Sequence, residues 1–435
     1  MILQEILQRY VLGDAMREMK DSGIEWVGAI PAAWGVHRIA SHFQEIKEKN
    51  TANAYSNALQ FKMGKIIAKP QKWDEDETNE TYSAYTVVHP NTIMINGLNL
   101  EFDFVTQRVA RIECNGIITS AYIALSPRDD INAEYICYLL KSYDACRAFH
   151  SMGRGLRKIL SYSELKNKPI VVPPLAEQER IAAFLDAECA EIDTVLEKTR
   201  ASIEEYKKLK QAVITQAVTK GIRGDRPMKD SGSVWFEEIP CNWVMKRIKY
   251  LFHIKKDIAG KEGYTVLSIT QRGIQPKDLS KNEGQIAANY SQYQLLAPGD
   301  FAMNHMDLLT GWVDISKYSG VTSPDYRVFV LDDTEKNDSS YYLYLMQMCY
   351  FNRIFYGLGQ GVSGMGRWRL QADKFMNFPV VVPPVDEQKE IVSYLNEKCK
   401  QLDTLIRNKQ QYLTEIENYK KSLIYEYVTG KKEVV

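Results

Sequence analysis

The sequence predicts a mixed α+β protein (α/β in the broad sense). Two globular segments are joined by two long antiparallel helices forming a coiled coil, with an internal pseudo-two-fold repeat. Two observations predict the repeat. MKDSGIEWVGAIPAAWGVHRIASHF, from Met19, returns as MKDSGSVWFEEIPCNWVMKRIKYLF from Met228. IVVPPLAEQERIAAFLDAECAEIDTV, from Ile170, returns as VVVPPVDEQKEIVSYLNEKCKQLDTL from Val380. The offsets are 209 and 210 residues, so a whole module is duplicated, far beyond the roughly 50-residue limit of solenoid repeats. A third observation predicts the helices: each Pro-Pro closes a β-branched run and opens a long stretch of helical periodicity.

In chain order, residues 1–22 form an N-terminal segment, and nothing in positions 1–18 assigns them a role. Residues 23–172 form the first globular segment. Its β-rich runs at 85–88 and 121–125 flank turn chemistry at Pro90-Asn91, and an apolar helical stretch follows over 134–149. The strand-like Ile170-Val171-Val172 ends at Pro173-Pro174, which also suits a helix's first turn. A spacer helix then fills 173–225. Leu185, Cys189, Ile192, Leu196, Ile203 and Tyr206 recur at three- and four-residue steps, Thr199 is the one polar interruption, and Gly221 stops the run. About 43 helical residues would make a rod of roughly 65 Å. The plan repeats over 226–382, with a β-rich run at 327–331, turns at 298–300 and Ser319-Gly320, and a helical stretch at 339–355. It closes with a second spacer helix over 383–435, where Leu395, Cys399, Leu402, Ile406, Leu413, Ile416 and Leu423 precede a stop at Gly430. Two such amphipathic helices would bury their stripes against each other. Their middles leave the register open, because Tyr206-Lys-Lys matches Tyr419-Lys-Lys at an offset of 213.

Composition narrows the class. Hydrophobic residues at 45% and charged residues at 25% fit a globular chain and exclude a largely disordered or collagenous one. No apolar run reaches the roughly 18 residues of a membrane span. The N-terminus is charged throughout and lacks a secretory pattern, so a cytoplasmic protein is expected. Seven cysteines without a CxxC pair fit a reducing compartment. Lys+Arg and Asp+Glu balance at 55 each, so any basic character must be local.

Between the shared ends, residues 44–165 and 253–375 diverge, apart from echoes such as Gly116-Ile-Ile-Thr-Ser-Ala-Tyr122 beside Gly320-Val-Thr-Ser-Pro-Asp-Tyr326. A common frame with different contents suggests two modules docked alike and aimed at different targets. Simple drift of the loops after duplication is the alternative.

Catalytic signatures are missing from the sequence. There is no GxxxxGK[ST], HExxH or GxSxG, and no Asn/Asp-Pro-Pro-Tyr/Phe loop of the kind that grips a base for methylation. Gly359-Gln-Gly361-Val-Ser-Gly364 fits a dinucleotide fingerprint by letter. It follows a helical stretch where the fingerprint needs a strand, so it reads as a glycine-rich loop carrying Arg367 and Arg369. The first module has a counterpart in Gly153-Arg154-Gly155-Leu-Arg157-Lys158. Matching Gly/Arg loops suit nucleic acid: glycine lets backbone approach, and arginine grips phosphate or guanine through two hydrogen bonds. Pairing of these arginines with acids of their own domain is the plainer alternative. Lys62 and Lys65, followed by Lys69 and Lys72, sit where the second module has Gln271 and Arg272. Asn96 and Asn99 parallel Asn304, His305 and Asp307. Asn and Gln can read adenine edges, Lys and Arg guanine edges. Trp26, Trp34, Trp235 and Trp243 lie in the shared frame and read as packing residues.

These motifs resemble the specificity (S) subunits of type I restriction-modification enzymes. The likeness rests on Met19 to Trp34 with its copy from Met228 to Trp243, and on Pro173-Pro174-x-x-Glu177-Gln178 with its copy Pro383-Pro384-x-x-Glu387-Gln388. It covers nearly the whole chain. The resemblance implies that 23–172 and 226–382 are target-recognition domains, each reading one half of a split, asymmetric double-stranded DNA site. The helices would set the gap and dock two modification (methyltransferase) subunits. It also implies a chain that is not catalytic alone. S-adenosylmethionine would act on the modification subunits, and ATP and Mg2+ on restriction (translocase and nuclease) subunits. The DNA-contacting candidates are Lys62, Lys65, Asn96, Arg154, Arg157, Lys158, Gln271, Arg272, Asn304, His305, Arg367 and Arg369. A non-catalytic coiled-coil scaffold with duplicated protein-binding domains, and a fused methyltransferase-nuclease, are the rival readings.

Overall fold

The computed structural model describes residues 17–62, 64–70, 81–101, 107–153, 155, 158–279, 287, 289–361 and 368–434. The chain divides into two compact units: the part up to Arg200 together with Gln411 onward, and Ala201–Gln410. This differs from a division at the helix ends, because each long helix gives one half to each unit.

In the first unit, β1 (Met19–Asp21) and β2 (Ala29–Pro31) form a hairpin. β3 (Gly35–Arg38) leads through α1 (Ile39–His42) into β4 (Phe43–Glu45). Next come β5 (Leu59–Lys62), β6 (Lys65–Ala68), β7 (Thr86–Val88), β8 (Ile93–Ile95), β9 (Val109–Arg111), β10 (Gly116–Ile118) and β11 (Ile123–Pro127). α2 (Ala133–Ala145), α3 (Tyr162–Leu165) and β12 (Pro169–Val172) precede the long α4 (Leu175–Lys220). The main sheet has the order β4-β11-β8-β9, with every pairing antiparallel.

Strand alternation gives this sheet two buried faces. Ile93, Ile95, Ile123 and Leu125 pack with Tyr135, Ile136, Leu139 and Tyr143 of α2 and with Ile181, Leu185, Cys189, Ile192 and Leu196 of α4. Met94 and Ala124 face the other way, onto a smaller core with Leu59, Val88, Ile112 and Ile118. The β5–β6 hairpin and the antiparallel β7–β10 pair thus form an outer layer.

The second unit repeats the plan. β13 (Met228–Asp230) pairs with β14 (Glu238–Pro240). β15 (Val244–Arg247), β16 (Phe252–Lys255), β17 (Leu267–Thr270), β18 (Gly273–Pro276), β19 (Gln294–Leu296), β20 (Phe301–Met303), β21 (Val313–Ile315), β22 (Gly320–Thr322) and β23 (Arg327–Leu331) follow. α5 (Ser339–Phe351), α6 (Ile354–Leu358), α7 (Ala372–Met376), β24 (Pro379–Val382) and α8 (Val385–Val428) complete it. Its sheet order, β16-β23-β20-β21, matches the first position for position. Ala302 and Val328 turn to an outer core with Leu267, Ile269, Ile274 and Leu296. Interiors that differ in sequence therefore share one topology. Among the described residues, no helix is long and apolar enough to cross a membrane.

The repeated motifs prove to be joints. The indole N–H of Trp34 donates to Glu177 at 3.0 Å, and that of Trp243 donates to Glu387 at 2.9 Å. Arg17 closes the first joint at 2.6 Å, and Arg226, 209 positions on, closes the second. Gln178 donates to the carbonyl of Pro173 and accepts from Asn132 N–H, both at 2.9 Å. Gln388 does the same with Pro383 at 2.9 Å and Asp338 at 2.8 Å. Each glutamine thus ties the strand-to-helix corner to the start of the preceding helix. Asn132 and Asp338 in turn N-cap those helices, their side chains accepting from Tyr135 N–H at 2.9 Å and Tyr341 N–H at 3.1 Å.

Two buried tyrosines fasten the long helices to the units. The hydroxyl of Tyr135 donates to Val428 O at 3.0 Å, and that of Tyr341 donates to Val218 O at 3.0 Å. Burial holds both phenols neutral, far above the usual tyrosine range. Tyr341→Phe should therefore cost about 1 kcal/mol, checked by denaturant unfolding, with no change in pH dependence below 10.

Ion pairs settle the helix register. In the first unit Asp193 meets Lys420 at 2.6 Å, and in the second Asp403 meets Lys210 at 2.7 Å. Both members of the second pair stand 210 positions from their equivalents, so the repeat runs through the helices unbroken. The Tyr-Lys-Lys match at 213 is fortuitous.

The single helical stretches expected over 134–149 and 339–355 are each broken. Arg147 (φ 60°) and Arg353 (φ 58°) adopt the left-handed conformation after α2 and α5. The turn delivers Phe149 and Phe355, each 1% exposed, into the cores. Packing of these rings outweighs helix continuation.

Candidate nucleic-acid interface

The described residues among those selected from the sequence lie at the ends of the β5–β6 and β17–β18 hairpins, and on or next to the loops that follow β8 and β20. Lys62 and Lys65 face each other across the β5–β6 turn, and both are exposed. The turn residue Gly64 (φ +74°) lies against the side chain of Gln107, just before β9. In the second unit Gln271 and Arg272 form the tip of β17–β18, also exposed. Gln271 reaches Thr310 O at 3.4 Å, placing that tip beside the β20–β21 loop.

Asn96 and Asn304 occupy the same position and do the same work. Asn96 N–H donates to Arg108 O at 2.8 Å, and Asn304 N–H to Trp312 O at 2.9 Å. Their side-chain oxygens accept from the backbone two residues on, Leu98 N–H at 3.1 Å and Met306 N–H at 3.2 Å. These are Asx turns, so each asparagine bends the chain as it leaves the sheet. The side-chain oxygen that a two-point adenine contact would use is thus already engaged in each.

The next residue in each loop anchors the glycine-rich segment. Leu160 N–H donates to Gly97 O, and Leu370 N–H to His305 O, both at 2.9 Å. Lys158 therefore stands near the first loop, and Arg369 near the second. Arg369 is exposed and pairs with Gln360 through backbone bonds of 2.9 and 3.0 Å. Arg154, Arg157 and Arg367, like Lys72, lie outside the described residues.

His305 is half-buried. Burial first, then the nearby Arg327 and Arg369 guanidiniums, push its pKa down to about 3. It is neutral at physiological pH, and its Nδ1 is buried, so only the other ring nitrogen remains to meet a ligand.

The sequence did not single out the braces behind these loops. Arg108, fully buried, donates to Leu98 O at 2.6 Å and Asn96 O at 3.2 Å. Arg327 donates to Leu370 O at 2.9 Å and lies 5.0 Å over the Phe375 ring. Lone arginines beside apolar runs carry no periodic signal, so nothing short of the fold reveals them. Arg17 is different: its 209-residue offset from Arg226 was available in the sequence. Among the described residues no cluster of three or more His, Cys, Asp or Glu side chains could hold a metal ion.

The chain thus carries two copies of one module, each with polar and basic residues at its hairpin end. The chain belongs to the family described as the type I restriction modification DNA specificity domain, whose sequence model matches residues 112–205 and 240–418, more than half of its length. It is 22% identical to the type I restriction enzyme MjaVIII specificity subunit of Methanocaldococcus jannaschii, over 93% of this chain and 94% of that protein. It is also 22% identical to the putative type I restriction enzyme MjaX specificity subunit of the same organism, over 94% of this chain and 96% of that one. The fold resembles a chain in a structure described as the basis of complex assembly and conformational transition of the type I R-M system. The TM-score is 0.67 at 14% identity, covering 93% of this chain and 99% of that one.

Proposed function

We propose that this chain is the DNA-reading subunit of a type I restriction-modification complex, with each module addressing one half of a split, asymmetric duplex site. One observation carries the reading: the two modules keep the same joints and topology while differing at the hairpin ends and in the loops after β8 and β20. Lys62 and Lys65 stand against Gln271 and Arg272, and Gly97 against His305. Lysines and arginines there would neutralise phosphates and set register. Gln271, Arg272 and His305 would supply donors or acceptors to base edges, each good contact contributing roughly 1–3 kcal/mol.

In this reading α4 and α8, shared by both units, fix the gap between half-sites and dock two modification subunits. S-adenosylmethionine would sit on those subunits, ATP and Mg2+ on restriction subunits, and the complex would work in the cytoplasm. The test is co-expression with its methyltransferase partner in a host lacking adenine methylation, followed by genome-wide mapping of modified adenines. A split motif with a fixed gap, absent without this chain, is expected. Replacing residues 44–165 with those of a related chain should change one half-site only. Unchanged methylation in the absence of this chain would end the reading.

A further inference from the structure

Gly359-Gln-Gly361, the segment that imitates a cofactor loop by letter, has a structural purpose. A Cβ on Gly359 would lie 2.5 Å from Cδ1 and Nε1 of Trp368, and one on Gly361 would lie 2.5 Å from its Cε3. The two glycines make a flat seat for the indole. Tyr356 stacks against the same ring, with centroids 5.4 Å apart at 30°. The indole N–H donates to Tyr356 O at 2.6 Å. The side chain is thus fixed on three counts, yet the residue is 37% exposed.

Because the one polar atom of the ring is spent on Tyr356, the surface it leaves to solvent is carbon. That surface stands beside Arg369, on the segment joined to the His305 loop through Leu370. A rigid exposed apolar surface among polar loop ends is not needed for packing. It matches the one apolar group that a base pair offers in the major groove, the thymine C5-methyl. The first module has Lys158 in the corresponding place, two residues before the anchoring leucine.

We propose that Trp368 is a specificity-determining residue of the second module, recognising a thymine methyl in its half-site. The inference rests on the DNA-reading function above. Its test uses the assembled methyltransferase complex and duplexes carrying the mapped motif, with each thymine replaced in turn by deoxyuridine, which removes only the methyl. Wild-type complex should bind one such duplex three- to tenfold more weakly, at a position in the second half-site. Trp368→Ala should bind the thymine and deoxyuridine versions alike, with the first half-site unaffected. Gly361→Ala, which keeps the indole but fills its seat, should blunt the same discrimination, and Trp368→Phe should restore part of it. Unchanged thermal unfolding of each variant complex guards against misfolding. If no thymine methyl in the second half-site matters, or if Trp368→Ala weakens both halves equally, the inference is wrong while the split-site reading stands. If no split motif exists, the reading beneath it falls first.

Discussion

Glu387→Ala should destabilise the second unit by about 3 kcal/mol, the cost of removing one partner from a buried charged joint. The Glu387 side chain is 4% exposed and accepts from both the Trp243 indole and Arg226, whose guanidinium also lies 5.2 Å over the Trp243 ring. Alanine would strand a buried indole N–H and a cation that is 14% exposed. Hydrogen exchange at the amides of β24 and α5 reads this directly, and a loss under 1 kcal/mol would show that the joint matters little. The pH profile has a definite sign. Burial alone would raise the carboxyl's pKa, but the hydrogen bonds from Arg226 and Trp243 hold it below the ordinary glutamate value. A depressed folded pKa contributes stability above the unfolded value of about 4.3, and that contribution is lost as pH falls below it. Glu387→Gln should therefore differ most from wild type at neutral pH and converge with it in acid.

How much of this was legible beforehand depends on whether a residue's role is periodic or local. The long helices, their stops at Gly221 and Gly430, and the buried Trp34 and Trp243 followed from pattern and repetition. Glu177-Gln178 and its copy were visible as motifs, but their work as joint and corner tie was not, since their partners lie up to 160 positions away. The outer layers were harder. Their strands are three or four residues long, too short for alternation to distinguish them from loops. The structure nevertheless exposes a further echo, Tyr82-Ser83-x-Tyr85 against Tyr290-Ser291-x-Tyr293, in which the second tyrosine N–H donates to the first tyrosine's carbonyl at 3.1 and 3.0 Å. The DNA-contacting candidates differ likewise: hairpin residues Lys62, Lys65, Gln271 and Arg272 are exposed, while Asn96 and Asn304 are half-buried and hold Asx turns.

The echo of Gly116 and Gly320 has the second large consequence. Each opens an outer-layer strand that lies against the backbone of the preceding segment: Ile117 N–H donates to Asn57 O and Val321 N–H to Thr265 O, both at 2.9 Å. A Cβ on Gly116 would stand 2.7 Å from Asn57 O, and one on Gly320 would meet Thr265 O and the Leu267 side chain. Backbone cannot yield as a flexible side chain does, so Gly320→Ala must push β22 away from the β17–β18 hairpin. About 2 kcal/mol should be lost from the outer layer. The main core of the unit, on the opposite face of the sheet, does not touch this glycine. The hairpin tip carrying Gln271 and Arg272 would shift against the His305 loop, and adenine methylation mapping should show the second half-site degenerate with the first intact. Gly116→Ala should give the mirror result. Equal loss of both half-sites from either substitution would mean that the outer layers do not read DNA independently. A silent Gly320→Ala would mean that the outer layer is not what reads the second half-site.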